Sequence, residues 1–67
     1  MNIQINGRSV DLSDKETTIA DLLESYRIRN KIAVVERNKE IIHKADYENT
    51  KLSHGDTLEI IHFVGGG

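Results

Sequence analysis

The sequence predicts an α+β domain: one sheet of five short strands with a single helix packed across one of its faces. Three observations carry that expectation. Apolar and polar residues alternate with a period of two at both ends of the chain, in residues 1–5 and again from Thr57, the pattern of half-buried strands. One window, residues 19–26, instead shows a helical period,. Turn signals punctuate the rest, chiefly Asn6-Gly7 and Ser53-His54-Gly55-Asp56,.

Met1, Ile3 and Ile5 alternate with Asn2 and Gln4, and Asn6-Gly7 comes next. Asn-Gly is the strongest short hairpin signal, because the tight turn needs positive φ at both central positions. Alternation resumes over residues 8–12 with Val10 and Leu12, so the chain opens with a hairpin. Residues 13–16 are polar and read as a loop. Thr18 with Asp21 forms a capping-box pattern, and Ile19, Leu22, Leu23 and Tyr26 then fall on one helical face. Asp21 and Glu24 before Arg27 suit the helix dipole. The expected helix is about ten residues long, with its apolar face against the sheet.

Residues 31–35 form an apolar, β-branched segment, 36–40 read as a polar turn, and Ile41-Ile42 as a short return strand,. Residues 43–50 are polar, with Tyr47 as the lone large anchor of a turn or short 3₁₀ piece. Gly55 is the expected positive-φ residue of the next turn. In the last segment Leu58 and Ile60 oppose Glu59, Ile61 and Phe63. The first and last strands each have an apolar side, and pairing them in the centre of the sheet buries both. With Leu58 and Ile60 facing the helix, Ile61 and Phe63 stand on the open face. Left exposed they make a docking patch; covered by loops they do not.

Sixty-seven residues make one small domain, which buries only about 60% of the surface its unfolded chain exposes. There is no cysteine, so neither a disulfide framework nor a thiolate nucleophile is available. No apolar run matches a membrane span and no signal-peptide pattern opens the chain, so the expectation is a soluble cytoplasmic protein. Nine Lys and Arg stand against eleven Asp and Glu, which disfavours nucleic acid as a partner. His43, His54 and His62 lack the close spacing of metal ligands,, so no metal site is expected. The acids Asp14, Glu16, Asp21 and Glu24 have no nucleophile or oxyanion group associated with them and read as a solvated face. Lys31, Lys39 and Lys44 are scattered and read the same way.

The sequence closes on Phe63-Val64-Gly65-Gly66-Gly67. Glycines cannot pack and lose much backbone entropy on ordering, so they make a slender arm that presents the Gly67 carboxylate. No Cβ obstructs such an arm in a narrow active site. From composition alone, an ordinary frayed end explains the glycines equally well.

Taken together, several stretches resemble a known family. These are Met1-Asn2-Ile3-Gln4-Ile5-Asn6-Gly7, Thr18-Ile19-Ala20-Asp21-Leu22-Leu23, residues 34–42, and Leu52-Ser53-His54-Gly55-Asp56-Thr57-Leu58-Glu59-Ile60 with His62-Phe63-Val64 and the glycines. Their order and spacing are similar to those of the ThiS-type sulfur carriers of thiamine biosynthesis, and the likeness spans the chain. It implies a ubiquitin-like β-grasp fold, a mixed five-stranded sheet packed on one helix, with residues 1–64 as the domain and 65–67 as a flexible tail. It implies a carrier that is consumed and regenerated like a substrate, not an enzyme. A ThiF-type adenylyltransferase, similar to the ubiquitin-activating enzyme, would adenylate the Gly67 carboxylate with ATP. A persulfide donor on another protein would convert it to a thiocarboxylate, and a ThiG-type thiazole synthase would take the sulfur. Gly65, Gly66 and Gly67 would enter the partner's active site, while Ile61, Phe63 and Val64 would dock. No cofactor would be bound, and the isolated chain would be a monomer.

The chain departs from the family where Val-Pro-Arg is common after the fourth strand: it reads Ile42-His43-Lys44, with Tyr47 in place of a frequent Trp. The lost proline is expected to loosen one turn. The third terminal glycine, Gly65, affects reach more than reactivity. Three rival readings share parts of this pattern. A MoaD-like carrier for molybdopterin synthesis often has a proline pair before its glycines, where this chain has His62-Phe63-Val64. A conjugated ubiquitin-like modifier shares the activation chemistry. A β-grasp RNA-binding or interaction module leaves the glycines unexplained and calls for a basic face.

Overall fold

The elements run β1 (Asn2–Ile5), β2 (Arg8–Asp11), α1 (Ile19–Ser25), β3 (Ala33–Arg37), β4 (Glu40–Ile42) and β5 (Thr57–His62), with a 3₁₀ turn, Lys44–Asp46, ahead of β5. The computed structural model describes residues 1–29 and 32–62. The sheet order is β2-β1-β5-β3-β4. β1 and β5 pair in parallel, Gln4 with Thr57 and Ile5 with Leu58, and the other neighbours are antiparallel. The first and last strands therefore do lie side by side, and β5 occupies the middle of the sheet.

Period-two burial results from that placement. Ile3 and Ile5 from β1, Ala33 and Val35 from β3, and Leu58 and Ile60 from β5 point to one face, where Ile19, Leu22 and Leu23 of α1 cover them. Each such buried Val, Leu or Ile side chain contributes roughly 1.5–3 kcal/mol. Leu12, Tyr47 and Leu52 complete the core. Asn6 and Gly7 take φ of 50° and 81°, as the hairpin signal requires.

Helix α1 starts as expected and ends early. The Thr18 hydroxyl accepts the Asp21 amide at 3.1 Å, and the Asp21 carboxylate accepts the Thr18 amide at 3.2 Å, a complete capping box. At the other end Arg27 adopts φ 59°. The Ile28 amide donates back to the Leu23 carbonyl at 2.8 Å and the Arg27 amide to that of Glu24 at 2.9 Å, the Schellman closure. The helix is thus 7 residues long instead of about ten, and Tyr26 is its C-cap, 46% exposed, not part of the buried face. Arg27 fills the left-handed position that glycine usually takes and is no dipole partner in the last turn.

The β3–β4 turn is also tighter than expected. Glu36 and Arg37 belong to β3 and Glu40 to β4, leaving Asn38 and Lys39 as the turn, at φ 50° and 71°. Asn38 is held there by the chain beyond the turn. Its amide nitrogen donates to the Asp56 carboxylate at 3.1 Å, and its side-chain oxygen accepts the Thr57 amide at 3.0 Å. Asp56 itself is buried, 5% exposed, and accepts from the Arg37 guanidinium and the Ser53 amide, each at 2.8 Å. Burial alone pushes the Asp56 carboxyl up. The hydrogen bonds from Arg37, Ser53 and Asn38, with the Arg37 charge, outweigh it and hold the group below the usual value of 3.8,.

Tyr47 is the anchor that the sequence indicated. β4 pairs only with Val35, Glu36 and Arg37, and beyond its end the Tyr47 hydroxyl accepts the Val35 amide at 3.2 Å and donates to the Ala33 carbonyl at 3.0 Å. One phenol thereby satisfies two buried main-chain groups. Next to it His43 sits at φ −68°, ψ 142°, the backbone a proline ring would lock. The turn keeps a proline geometry without the proline.

Both features bear on stability. Because the folded Asp56 carboxyl lies below its usual value, its stabilisation is complete above that value and is lost as pH falls through the folded one. The melting temperature should stay level from neutral pH to about 4 and fall below that. Asp56→Asn should cost about 1–3 kcal/mol at neutral pH and blunt the acid-side fall, both readable by thermal and urea melts. His43→Pro should raise stability by about 0.4–1 kcal/mol, since it restricts the unfolded chain at a compatible φ; a loss in urea titrations would show that the His43 amide is needed.

Candidate functional site

Among the described residues, no layer covers the face of the sheet away from α1. Along β5, Thr57, Glu59 and Ile61 point outward between the buried Leu58 and Ile60. Ile61 is 60% exposed and lies directly across from the half-buried Val34 of β3. Ile41, on β4, is 68% exposed. Of the two arrangements open for Ile61, free or covered by loops, the structure has it free. Ile61 beside Val34, with Ile41 one rung away across β3, leaves exposed aliphatic surface on one open face of the kind that binds proteins,. Phe63 and Val64, expected to extend it, lie outside the described residues, as do Gly65, Gly66 and Gly67.

Ile41 was not singled out by sequence reasoning, although a signal for it exists. Two adjacent isoleucines in one strand must face opposite ways, so burying Ile42 exposes Ile41. Between the apolar residues, Glu36 stands directly opposite Glu59. Two carboxylates across one rung cost stability, which makes this face acidic as well as apolar.

At the carboxy-terminal end of β5 the sheet opens into a cleft of about 470 Å³, whose lining includes Asn6, Arg8, Tyr26, Ile28, Ile60 and His62. The early end of α1 leaves this end of the sheet uncovered. Asn6 bridges into β5 here: its side-chain oxygen accepts the Ile60 amide at 2.8 Å and its nitrogen donates to the Ile60 carbonyl at 3.1 Å.

The other candidate groups do not converge. Asp21 is engaged by the helix cap; hydrogen bonds from the Thr17 hydroxyl and from the amides of Thr17 and Thr18 hold its carboxyl below the usual range. Glu16 accepts from the hydroxyls of Ser13 and Ser25. The His54 ring accepts the Asn2 amide at 3.0 Å, and His43 and His62 are exposed. Among the described residues no three His, Asp or Glu side chains stand close enough together to hold a metal ion. No helix among them is long and apolar enough to cross a membrane.

An open, partly apolar sheet face, with the last strand in the middle of the sheet leading into a glycine run, is the arrangement expected from the sequence resemblance. The family model for ThiS matches residues 2–67. The chain belongs to the ThiS family. It is 52% identical over 65 residues to the sulfur carrier protein ThiS of Bacillus subtilis, covering 97% of this chain and 98% of that one. Its fold matches the crystal structure of the thiamine biosynthesis protein ThiS from Geobacter metallireducens with a TM-score of 0.82, at 28% identity, over the full length of both chains. The fold is therefore the ubiquitin-like one of this family, and the ThiS-type chain is a carrier rather than a catalyst. A thiazole synthase of Paramagnetospirillum magneticum is also 37% identical over 67 residues; the match spans all of this chain but only 20% of that protein.

Proposed function

We propose that this ThiS-family chain carries sulfur for the thiazole ring of thiamine as a thiocarboxylate on Gly67. The observation that carries the reading is the 52% identity to a named sulfur carrier across 98% of that carrier's length. The thiazole synthase that contains a stretch similar to this entire chain supports a ThiG-type synthase as the recipient, since a ThiS-like stretch lies there in the same polypeptide as a protein named for that synthesis.

The chemistry asks little of the carrier beyond presentation. A carboxylate is a poor electrophile at neutral pH. In the proposed cycle the Gly67 carboxylate attacks the α-phosphate of ATP within a ThiF-type enzyme, pyrophosphate leaves, and an acyl-adenylate forms. The terminal sulfur of a protein persulfide then attacks the acyl carbon and expels AMP. A second thiol attacks the donor's cysteine sulfur in the resulting acyl disulfide, forms a disulfide with it and releases the thiocarboxylate, a soft nucleophile that the synthase consumes. ATP is a substrate of the activating enzyme and not a resident cofactor of this chain. The domain's part is a docking face around Ile61, with Phe63 and Val64 continuing it in sequence, and the slender arm of Gly65, Gly66 and Gly67.

Incubation with ATP, a persulfide donor and a ThiF-type enzyme should raise the intact mass by the replacement of one oxygen by sulfur, localised by fragmentation to Gly67. Removal of Gly67 should abolish the gain while the thermal melt is unchanged; a sulfur gain in the truncated chain would overturn the reading. Ile61→Arg should leave stability within about 1 kcal/mol, as the side chain is exposed on a strand. It should weaken binding to the activating enzyme at least tenfold, which titration calorimetry reads directly.

A further inference from the structure

We infer that the cleft beyond the end of α1 is a second docking site, which takes an extended acidic segment of a protein partner: a carboxylate against Arg8, then an aliphatic side chain over Ile28 and Ile60. This site is independent of the tail chemistry proposed above and lies on the opposite side of the sheet from Ile61.

Strand pairing fixes which side chains face the cleft. Arg8 lies directly across from Ile5, and Val10 from Ile3, so both share the α1 side of the sheet with those buried residues. Ile60 and His62, two apart on β5, share it too,. A helix of about ten residues would reach over this region, but α1 stops after 7 and Arg27 turns left-handed at φ 59°. The cleft of about 470 Å³ is what remains. Ile5 and Ile60 come to it from inner strands, Arg8 and Val10 from the edge strand β2, and Tyr26 and Ile28 from the end of α1. Val10 and Ile28 are only half-buried and Tyr26 is exposed, so apolar surface is left without cover.

The polar groups of the cleft set the chemistry of its occupant. The Asn6 amide is committed to Ile60. Among the described residues, the Arg8 guanidinium, the Tyr26 hydroxyl and the His62 ring make no hydrogen bond or ion pair, and no Asp or Glu lines the cleft. On the far side of Ile28, Arg27 and Arg29 have Glu24 and Glu48 beside them, so the uncompensated charge is that of Arg8. An unpaired guanidinium at the rim of an apolar floor complements a carboxylate next to an apolar side chain. Length follows from register. Ile5 is level with both Arg8 and Leu58, so His62 lies roughly 13 Å farther along the sheet and two strands across from Arg8. An occupant that meets both ends is elongated, as an extended peptide of about five residues is. β2 is an edge strand, so such a segment enters from the side without threading. Because Ile61 points the other way, this partner and one on the open face are held at the same time.

Isoleucine methyl spectra test this, since Ile5, Ile28 and Ile60 report on the cleft and Ile41 and Ile61 on the open face. Titration with the synthetic peptide acetyl-Ala-Glu-Glu-Leu-Ala-amide should shift the first three and leave the other two in place. Arg8→Gln should raise the Kd about fivefold or more, Arg29→Gln should leave it within about twofold, and added salt should weaken binding. Arg8→Glu should lose this peptide and bind acetyl-Ala-Lys-Lys-Leu-Ala-amide instead, with thermal melts showing each variant folded. Absence of saturable cleft shifts, shifts at Ile41 and Ile61 instead, or equal losses in Arg8→Gln and Arg29→Gln would each overturn the inference. So would the same shifts from the peptide with Gln in place of Glu, or from inorganic phosphate. None of these outcomes bears on sulfur loading of Gly67, which intact mass reads separately.

Discussion

The structure depends on the parallel contact between β1 and β5. Two hairpins, β1–β2 and β3–β4, are local and form from their own turns. Neither can bury its apolar side alone, because a two-stranded hairpin is marginal in water. β5 joins them by pairing with β1 on one edge and β3 on the other, and in doing so presents Leu58 and Ile60 to α1. Its direct register with β1 is short, Gln4 with Thr57 and Ile5 with Leu58. Side-chain ties hold β5 at both ends: Asn6 binds Ile60 on the β1 side, and Asp56, just before the strand begins, binds Arg37 and Asn38 on the β3 side and the Ser53 amide. These are polar groups used as mortar, fully partnered and therefore tolerable where they are buried.

Much of this was legible because local and global signals agree. Asn6-Gly7, the Thr18–Asp21 capping box, Tyr47 as an anchor and the buried pair Leu58 and Ile60 were all readable from residue chemistry and period. The departures share a cause: residues doing something their type does not advertise. Tyr26 fits the helical face by spacing, but the chain had already turned left-handed at Arg27, where no glycine announces it. Asn38-Lys39 is a poor hairpin signal taken alone; the turn is stabilised by Asp56 and Thr57, which lie far along the chain. Asp56 itself looked like one more polar residue of a surface turn. Its burial depends on Arg37 arriving from another strand, and no window around Asp56 contains that information.

The candidate site divides the same way. Its proposed chemistry, a carboxylate on a glycine arm, is a statement about covalent sequence and rests on Gly65, Gly66 and Gly67 alone. Its docking face is a statement about which residues share a side of a sheet. Ile61 was deducible from parity along one strand, but Ile41 required the β4 register. The bidentate role of Asn6 required knowing that β1 ends opposite the middle of β5. Residues that hold one strand by substituting for another leave no periodic trace.

The central strand is also the last of the five in chain order. A nascent or prematurely ended chain that stops short of Thr57 has two hairpins and a helix but no middle to the sheet. It has no Ile61 beside Val34, and its unpaired strand edges are open to aggregation,. Completion of the open face is thereby coupled to synthesis of the last strand: a polypeptide that lacks it cannot set Ile61 beside Val34.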